Sequence, residues 1–196
     1  MLIVIHPDPV QIPHAELCSQ VLACLGNDYV PTHVIFDSCE YADYQQLIAE
    51  FNDIAFTWTR DRPRDNVPPY FFEITAAPEC THVVWLSHKA IAYSAQLFSW
   101  VFAHELRHVF QSRHQFPRDE IQRTVRTLRR KPEYIHLPPS LFGPDEIDSE
   151  LSAVRLMRVL YGEHELRRFL ASTVLPRHPC SAYANLLLEA ESVISQ

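Results

Sequence analysis

The sequence predicts an α+β fold, in which an N-terminal mixed β-sheet with helices is followed by a central helix and a helical C-terminal half. Short apolar runs first alternate with helical patterns and then follow one another directly, which is typical of a mixed sheet. Further along, the apolar residues recur at helical spacing. With 196 residues, of which 47% are hydrophobic, the chain is predicted to form one domain, comprising an α/β part over 1–87 and a helical part over 88–196.

Five segments of the N-terminal part have the composition of β-strands. Each is rich in β-branched or aromatic residues and is bounded by turn-forming residues. The predicted strands cover residues 1–5, 33–36, 54–59, 70–75 and 81–87. Two helices are predicted among them, over residues 13–26 and from a capping box at residues 37–40 to residue 51.

The C-terminal half contains a basic segment followed by further helical patterns. Helices are predicted over residues 117–132, 145–161, 163–172 and 181–195. The basic side chains of the first are Arg118, Arg123, Arg126, Arg129, Arg130 and Lys131. They form either a solvated helix face or a docking surface for an acidic partner. Because no aromatic residues are interleaved with them, nucleic acid is not an expected partner.

Composition gives expectations about the compartment. No apolar run is long enough to span a bilayer, and the apolar start of the chain is too short for a signal-peptide core. The five cysteines are odd in number and widely scattered, unlike a disulfide framework. They are Cys18, Cys24, Cys39, Cys80 and Cys180. We therefore expect a cytoplasmic protein, not bound to a membrane, whose thiols are reduced.

A short motif near the middle of the chain carries the main functional signal. The residues from His104 to His108 spell H-E-x-x-H within an apolar run that has helical character. Positions four apart lie on one face of a helix, so both imidazoles can bind one zinc ion. Glu105 then lies beside the metal, where a carboxylate can take a proton from a metal-bound water. A partial copy at residues 164–168 ends in Arg168, which cannot bind a metal, and is interpreted as an ordinary charged helix surface.

A catalytic zinc needs a third protein ligand, and Glu146 is the first candidate. It stands near the start of a predicted helix, 38 residues after His108. Glu150 follows one helical turn later, on the stripe that continues through Ala153 and Met157. Glu146 could therefore bind the metal while Glu150 accepts the second N–H group of a ligating histidine.

H-E-x-x-H followed by a helix with a glutamate, and by an acidic residue four positions later, resembles the gluzincin metallopeptidases. Small members such as minigluzincins and ImmA/IrrE-type domains carry E-x-x-A-[ND]-x-x-A, and the matching positions here are Glu146, Ser149, Glu150 and Ala153. The resemblance covers about residues 97–162. It implies a zinc-dependent hydrolase that holds an extended peptide along a sheet edge, for which residues 70–87 are the expected segment.

His114 is the second candidate for the third ligand. The string from His104 to His114 matches the metzincin pattern H-E-x-x-H-x-x-G-x-x-H except that Gln111 replaces the glycine. That glycine allows a sharp turn, which a side chain with a Cβ atom resists. If the helix continues instead, His114 lies about 240° around from His108 and faces away from the metal.

The sequence therefore predicts a zinc metallopeptidase that acts on a protein or peptide. His104, His108 and Glu146 are its metal ligands, Glu105 is its general base, and Glu150 orients a ligand. Tyr134 and His136, in the loop before Glu146, are candidates to stabilise an oxyanion. The alternatives are a metzincin-like protease that uses His114 and a non-catalytic zinc-binding regulatory protein.

Overall fold

A computed structural model of the protein describes residues 2–6, 14–37, 55–63, 67–68, 70–172 and 181–194. The chain divides into two compact units, Met1–Ser112 and Arg113–Gln196. The first contains a mixed sheet with helices and the second is helical, so the predicted α+β class is confirmed. The assignment of residues 1–87 and 88–196 to two parts of one domain stays a prediction.

A four-stranded mixed sheet forms the framework of the first unit. Its strands are β1 (Leu2–His6), β2 (His33–Asp37), β3 (Ala55–Thr59) and β4 (His82–Leu86). They lie in the order β1-β2-β4-β3, with β1, β2 and β4 parallel and β3 antiparallel to β4. Four of the five predicted strands are therefore confirmed.

The fifth predicted strand, over residues 70–75, is wrong, because this segment forms the short helix α2 (Phe71–Thr75). Phe71 is fully buried and Ile74 packs on the same apolar cluster, whereas Phe72 is 59% exposed. Burial at positions three apart is the spacing of a helix face, whereas a strand would bury alternate residues.

The prediction that residues 70–87 supply a sheet edge for an extended peptide is also wrong. Residues 70–87 do not form an edge, because the only strand among them, β4, pairs with β2 on one side and with β3 on the other. Among the strands that the structure describes, β3 is the edge strand next to β4. Among the described strands, β1 and β3 are the two that pair on one side only.

The two faces of the sheet bury different partners because side chains alternate along each strand. On one face, Phe56 and Trp85 stack with ring centroids 5.0 Å apart, and Phe56 also contacts Phe71 of α2 at 5.4 Å. On the opposite face, Phe36 of β2 stacks on Phe98 at 6.4 Å. Phe98 belongs to the long helix that carries the H-E-x-x-H motif, so this helix is packed against the sheet.

Besides a short 3-10 helix at Asn27–Tyr29, three further α-helices are described in the first unit. They are α1 (Ala15–Leu25), α3 (His88–Ile91) and α4 (Ala95–Arg113). The prediction over residues 13–26 corresponds to α1, which ends at Gly26, whose positive φ of 90° favours glycine. The helix predicted up to residue 51 lies outside the described residues.

The described α-helices of the second unit are α5 (Arg118–Leu128), α6 (Pro144–Ser172) and α7 (Ser181–Ile194), and a short 3-10 helix covers Pro139–Phe142. Within α6, Gly162 has φ 82° and ψ 164°, a conformation open essentially only to glycine, and it breaks the helix where the sequence predicts a stop. Glu191 of α7 is buried and accepts a hydrogen bond from Arg158 of α6 at 2.9 Å. The four predicted C-terminal helices are therefore confirmed.

The basic helix α5 turns its apolar residues inward. Ile121, Val125 and Leu128 are buried. Some of its cations have partners within the unit, since Arg118 forms an ion pair with Asp145 at 2.9 Å and Arg129 lies over the ring of Phe142. The basic side chains of Arg123, Arg126 and Arg130 are also exposed.

The described cysteines are Cys18, Cys24 and Cys80, and all three are free thiols. Cys18 and Cys80 are buried, and burial raises the pKa of the Cys18 thiol to about 12. Cys39 and Cys180 lie outside the described residues. No helix in the described part of the chain combines the length and apolarity that a membrane span requires.

Candidate metal centre

The two histidines of the motif lie on helix α4, most of which is buried. From Phe98 to Leu106 every side chain is buried, including those of His104 and Glu105, with 5% and 4% exposure. Phe98 stacks on Phe36 of the sheet and also contacts Phe102, one turn later in α4. Since buried polar groups require partners, the polar residues of this helix must be satisfied within the protein or by a ligand.

The imidazole rings of His104 and His108 face each other through their Nε2 atoms. Their Nε2 atoms are 3.1 Å apart, and the ring planes meet at 76°. Two nitrogens bound to one tetrahedral zinc, each at about 2.0 to 2.1 Å, are separated by about 3.3 Å. The helix therefore already holds the two imidazoles at nearly the spacing of a shared metal ion.

Glu146, near the start of α6, completes a group that could hold a metal ion. His104, His108 and Glu146 each offer one ligand atom, and these atoms all lie within 4.8 Å of one another. His104 is buried and the other two are partly buried. Two neutral imidazoles and one carboxylate are a donor set suited to divalent zinc, copper, iron or nickel.

His114 is not a member of this group. It follows the last residue of α4, Arg113, and its side chain is exposed. The helix continues through Gln111, where the metzincin pattern requires a glycine turn. Among the described residues, the three that meet are therefore those predicted by the gluzincin pattern.

The partial copy of the motif is a charged helix surface, as predicted. His164 is exposed, and the side chain of Arg168 is 68% exposed and pairs with Glu165 at 2.5 Å. Arg167 pairs with Glu163 one turn earlier. These ion pairs between residues three or four apart are ordinary features of a solvated helix.

Glu105 is held by the edge strand of the sheet. The hydroxyl oxygen of Thr57, on β3, lies 2.9 Å from Oε2 of Glu105 and 2.7 Å from its backbone oxygen. Phe56 and Trp58 point to the α2 face, so pleating directs Thr57 toward α4. The sequence analysis missed this contact because it joins residues 48 positions apart.

His108 has a partner for its second ring nitrogen within α4. Its Nδ1 atom lies 2.8 Å from Oε1 of Gln111, three residues later. The sequence analysis assigned such a role to Glu150 and considered Gln111 only as a missing glycine. Helical spacing could have identified this pair, because residues three apart share a face.

The remaining predicted site residues are Glu150, Tyr134 and His136. Glu150 is buried, with 4% exposure, and its role toward a ligating histidine stays a prediction. Tyr134 is buried and its hydroxyl donates to Glu189 of α7 at 3.1 Å. Burial, and then this carboxylate, raise the pKa of Tyr134 to about 12. His136 is exposed. The oxyanion role of Tyr134 and His136 also stays a prediction.

Comparison of the chain with protein-family models gave no match, and neither did comparisons with curated proteins and with solved structures.

If the three ligands bind a metal, zinc should raise the melting temperature of the wild-type protein. Free zinc at about 100 times its dissociation constant stabilises a folded protein by about 2.7 kcal/mol, which corresponds to about 5 to 10 °C for a chain of this size. Differential scanning calorimetry with zinc and then with excess chelator measures the shift.

The same measurement on His108→Ala should show no shift, and His114→Ala is the matched control that should respond like the wild type. A wild-type melting temperature that ignores zinc, or a response lost only in His114→Ala, would contradict this ligand set.

Proposed function

We propose that the protein is a zinc-dependent metallopeptidase of gluzincin type that hydrolyses peptide bonds. The observation that supports this most directly is the meeting of His104, His108 and Glu146 ligand atoms within 4.8 Å, with the carboxylate of Glu105 adjacent in the same helix. Three protein ligands leave one tetrahedral position open, as catalytic sites require, whereas structural zinc sites are usually closed by four.

The proposed reaction consumes one water and one peptide bond. Zinc, when bound, supplies a Lewis acid that makes water more acidic and polarises a carbonyl group. Glu105 accepts a proton from the water while the water oxygen forms a bond to the carbonyl carbon. Glu105 then returns this proton to the amide nitrogen as the carbon–nitrogen bond breaks, which leaves a carboxylic acid and an amine. At neutral pH the proton of the acid passes to the amine, so that the products are a carboxylate and an ammonium group.

Thr57 supports the proposed role of Glu105 as a positioning residue. A hydroxyl that donates to an ionised carboxylate fixes the position of one oxygen and leaves the other available to water. The contact also ties the base to the edge strand β3, along which an extended peptide could add by backbone hydrogen bonds. Strand β3 would then hold both the general base Glu105 and the bound peptide.

Replacing Glu105 by glutamine should preserve metal binding and abolish hydrolysis. The amide is nearly isosteric with the carboxylate, but it cannot accept a proton from water at neutral pH. Zinc per chain is measured by elemental mass spectrometry, and cleavage of a diverse synthetic peptide pool is followed by mass spectrometry of the products. The wild type should hold about one zinc and cleave, whereas Glu105→Gln should hold zinc without cleaving.

Glu146→Ala is the matched ligand variant, and it should lose both zinc and activity. Hydrolysis that survives in Glu105→Gln would remove this residue from the mechanism. A wild-type protein that holds zinc but cleaves no member of the pool would instead favour a non-catalytic zinc protein.

Thr57→Val should lower kcat by about 10- to 100-fold, because a hydrogen bond to a charged group contributes roughly 1.5 to 3 kcal/mol. Zinc content should be unchanged, and Thr57→Ser should restore most of the rate since it retains the hydroxyl. Thr59→Val, two residues further along β3, is the control. A kcat that is equal in Thr57→Val and Thr59→Val would show that the hydroxyl does not position the base.

A further inference from the structure

Each imidazole that binds a metal through Nε2 must carry its proton on Nδ1. The Nε2 atom of His108 faces Nε2 of His104 at 3.1 Å, so this atom is the one available to the metal. The Nδ1 atom of His108 faces Oε1 of Gln111 at 2.8 Å, a normal hydrogen-bond length. The amide oxygen is an acceptor, so the geometry selects the tautomer with the proton on Nδ1.

From this geometry we propose that Gln111 is a positioning residue that fixes the tautomer and ring orientation of His108 for metal binding. The inference rests on the proposed metal site at His104, His108 and Glu146. It goes further in assigning the tautomer of one ligand to a side chain within the same helix. No movement elsewhere in the protein is needed to set this ligand.

Because the amide of Gln111 is uncharged, this residue affects the affinity of the site for the metal. Histidine ligands commonly donate their second N–H group to a carboxylate, which makes the imidazole more basic. An amide oxygen accepts the same hydrogen bond without a negative charge, so it orients the ring and adds less basicity. Gln111 therefore sets an affinity for the metal below the one that a carboxylate at this position would give.

The helix also explains why this residue can act on His108 alone. Residues three apart on a helix are neighbours, and Gln111 lies one turn beyond His108. His104 is seven residues earlier, which places it two turns from Gln111, beyond the reach of the amide. The assignment therefore predicts an effect through one ligand of the three.

The test is the zinc dissociation constant of the full-length protein, measured by competition with a fluorescent chelator at one fixed pH. Gln111→Leu keeps a good helix former but removes the acceptor, and we expect about 10-fold or greater weakening. Gln111→Glu restores an acceptor and should bind zinc at least as tightly as the wild type. Gln96→Leu, in the first turn of α4, makes the same chemical change away from the ligands and should bind as the wild type does.

Two results would overturn the proposal: wild-type affinity in Gln111→Leu, or equal weakening in Gln111→Leu and Gln111→Glu. A wild-type protein without measurable zinc affinity would instead refute the proposed function, so the two failures are distinguishable.

A second measurement does not depend on a variant that folds. Long-range ¹H–¹⁵N correlation spectra of the metal-free wild type report which ring nitrogen of His108 is protonated. Protonation on Nδ1 supports the proposal, and protonation on Nε2 contradicts it.

Discussion

The buried helix α4 imposes the constraint on which the candidate site depends. Its regular backbone places His104 and His108 one turn apart, and their Nε2 atoms are 3.1 Å apart, near the separation of two ligands on one tetrahedral zinc. Phe98 packs the helix on the sheet and contacts Phe102 within the helix, and Arg107 donates to the hydroxyl of Tyr29. Since packed helices resist deformation, two of the three ligands are preorganised before an ion arrives.

The edge strand gives the site its second fixed element. Strand β3 pairs antiparallel with β4 and sends alternate side chains to opposite faces. Phe56 and Trp58 enter the aromatic cluster with Phe71, so Thr57 is directed to the face where Glu105 lies. The packing of bulky rings on one side of the strand thus determines where a single hydroxyl acts on the other.

The sequence allowed prediction of those parts of the site that depend on local spacing. His104 and His108 follow from helical geometry, and Glu146 follows from a resemblance of motif and spacing. Thr57 could not be found in this way, because its contact with Glu105 spans 48 residues and requires the register of the sheet. The segment 70–75 was assigned to a strand because a short aromatic run has no unambiguous period, and only tertiary burial of Phe71 with Ile74 decides for a helix. The contact between Gln111 and His108 is predictable from the helical spacing that also identifies His108.

X-ray absorption at the zinc edge tests the central claim most directly, since it reports the number and type of atoms bound to the metal. For the purified zinc-loaded protein, we expect two imidazole nitrogens with additional oxygen ligands near 2.0 Å. Sulfur ligation near 2.3 Å, or coordination by more than two imidazoles, would contradict the ligand set of His104, His108 and Glu146.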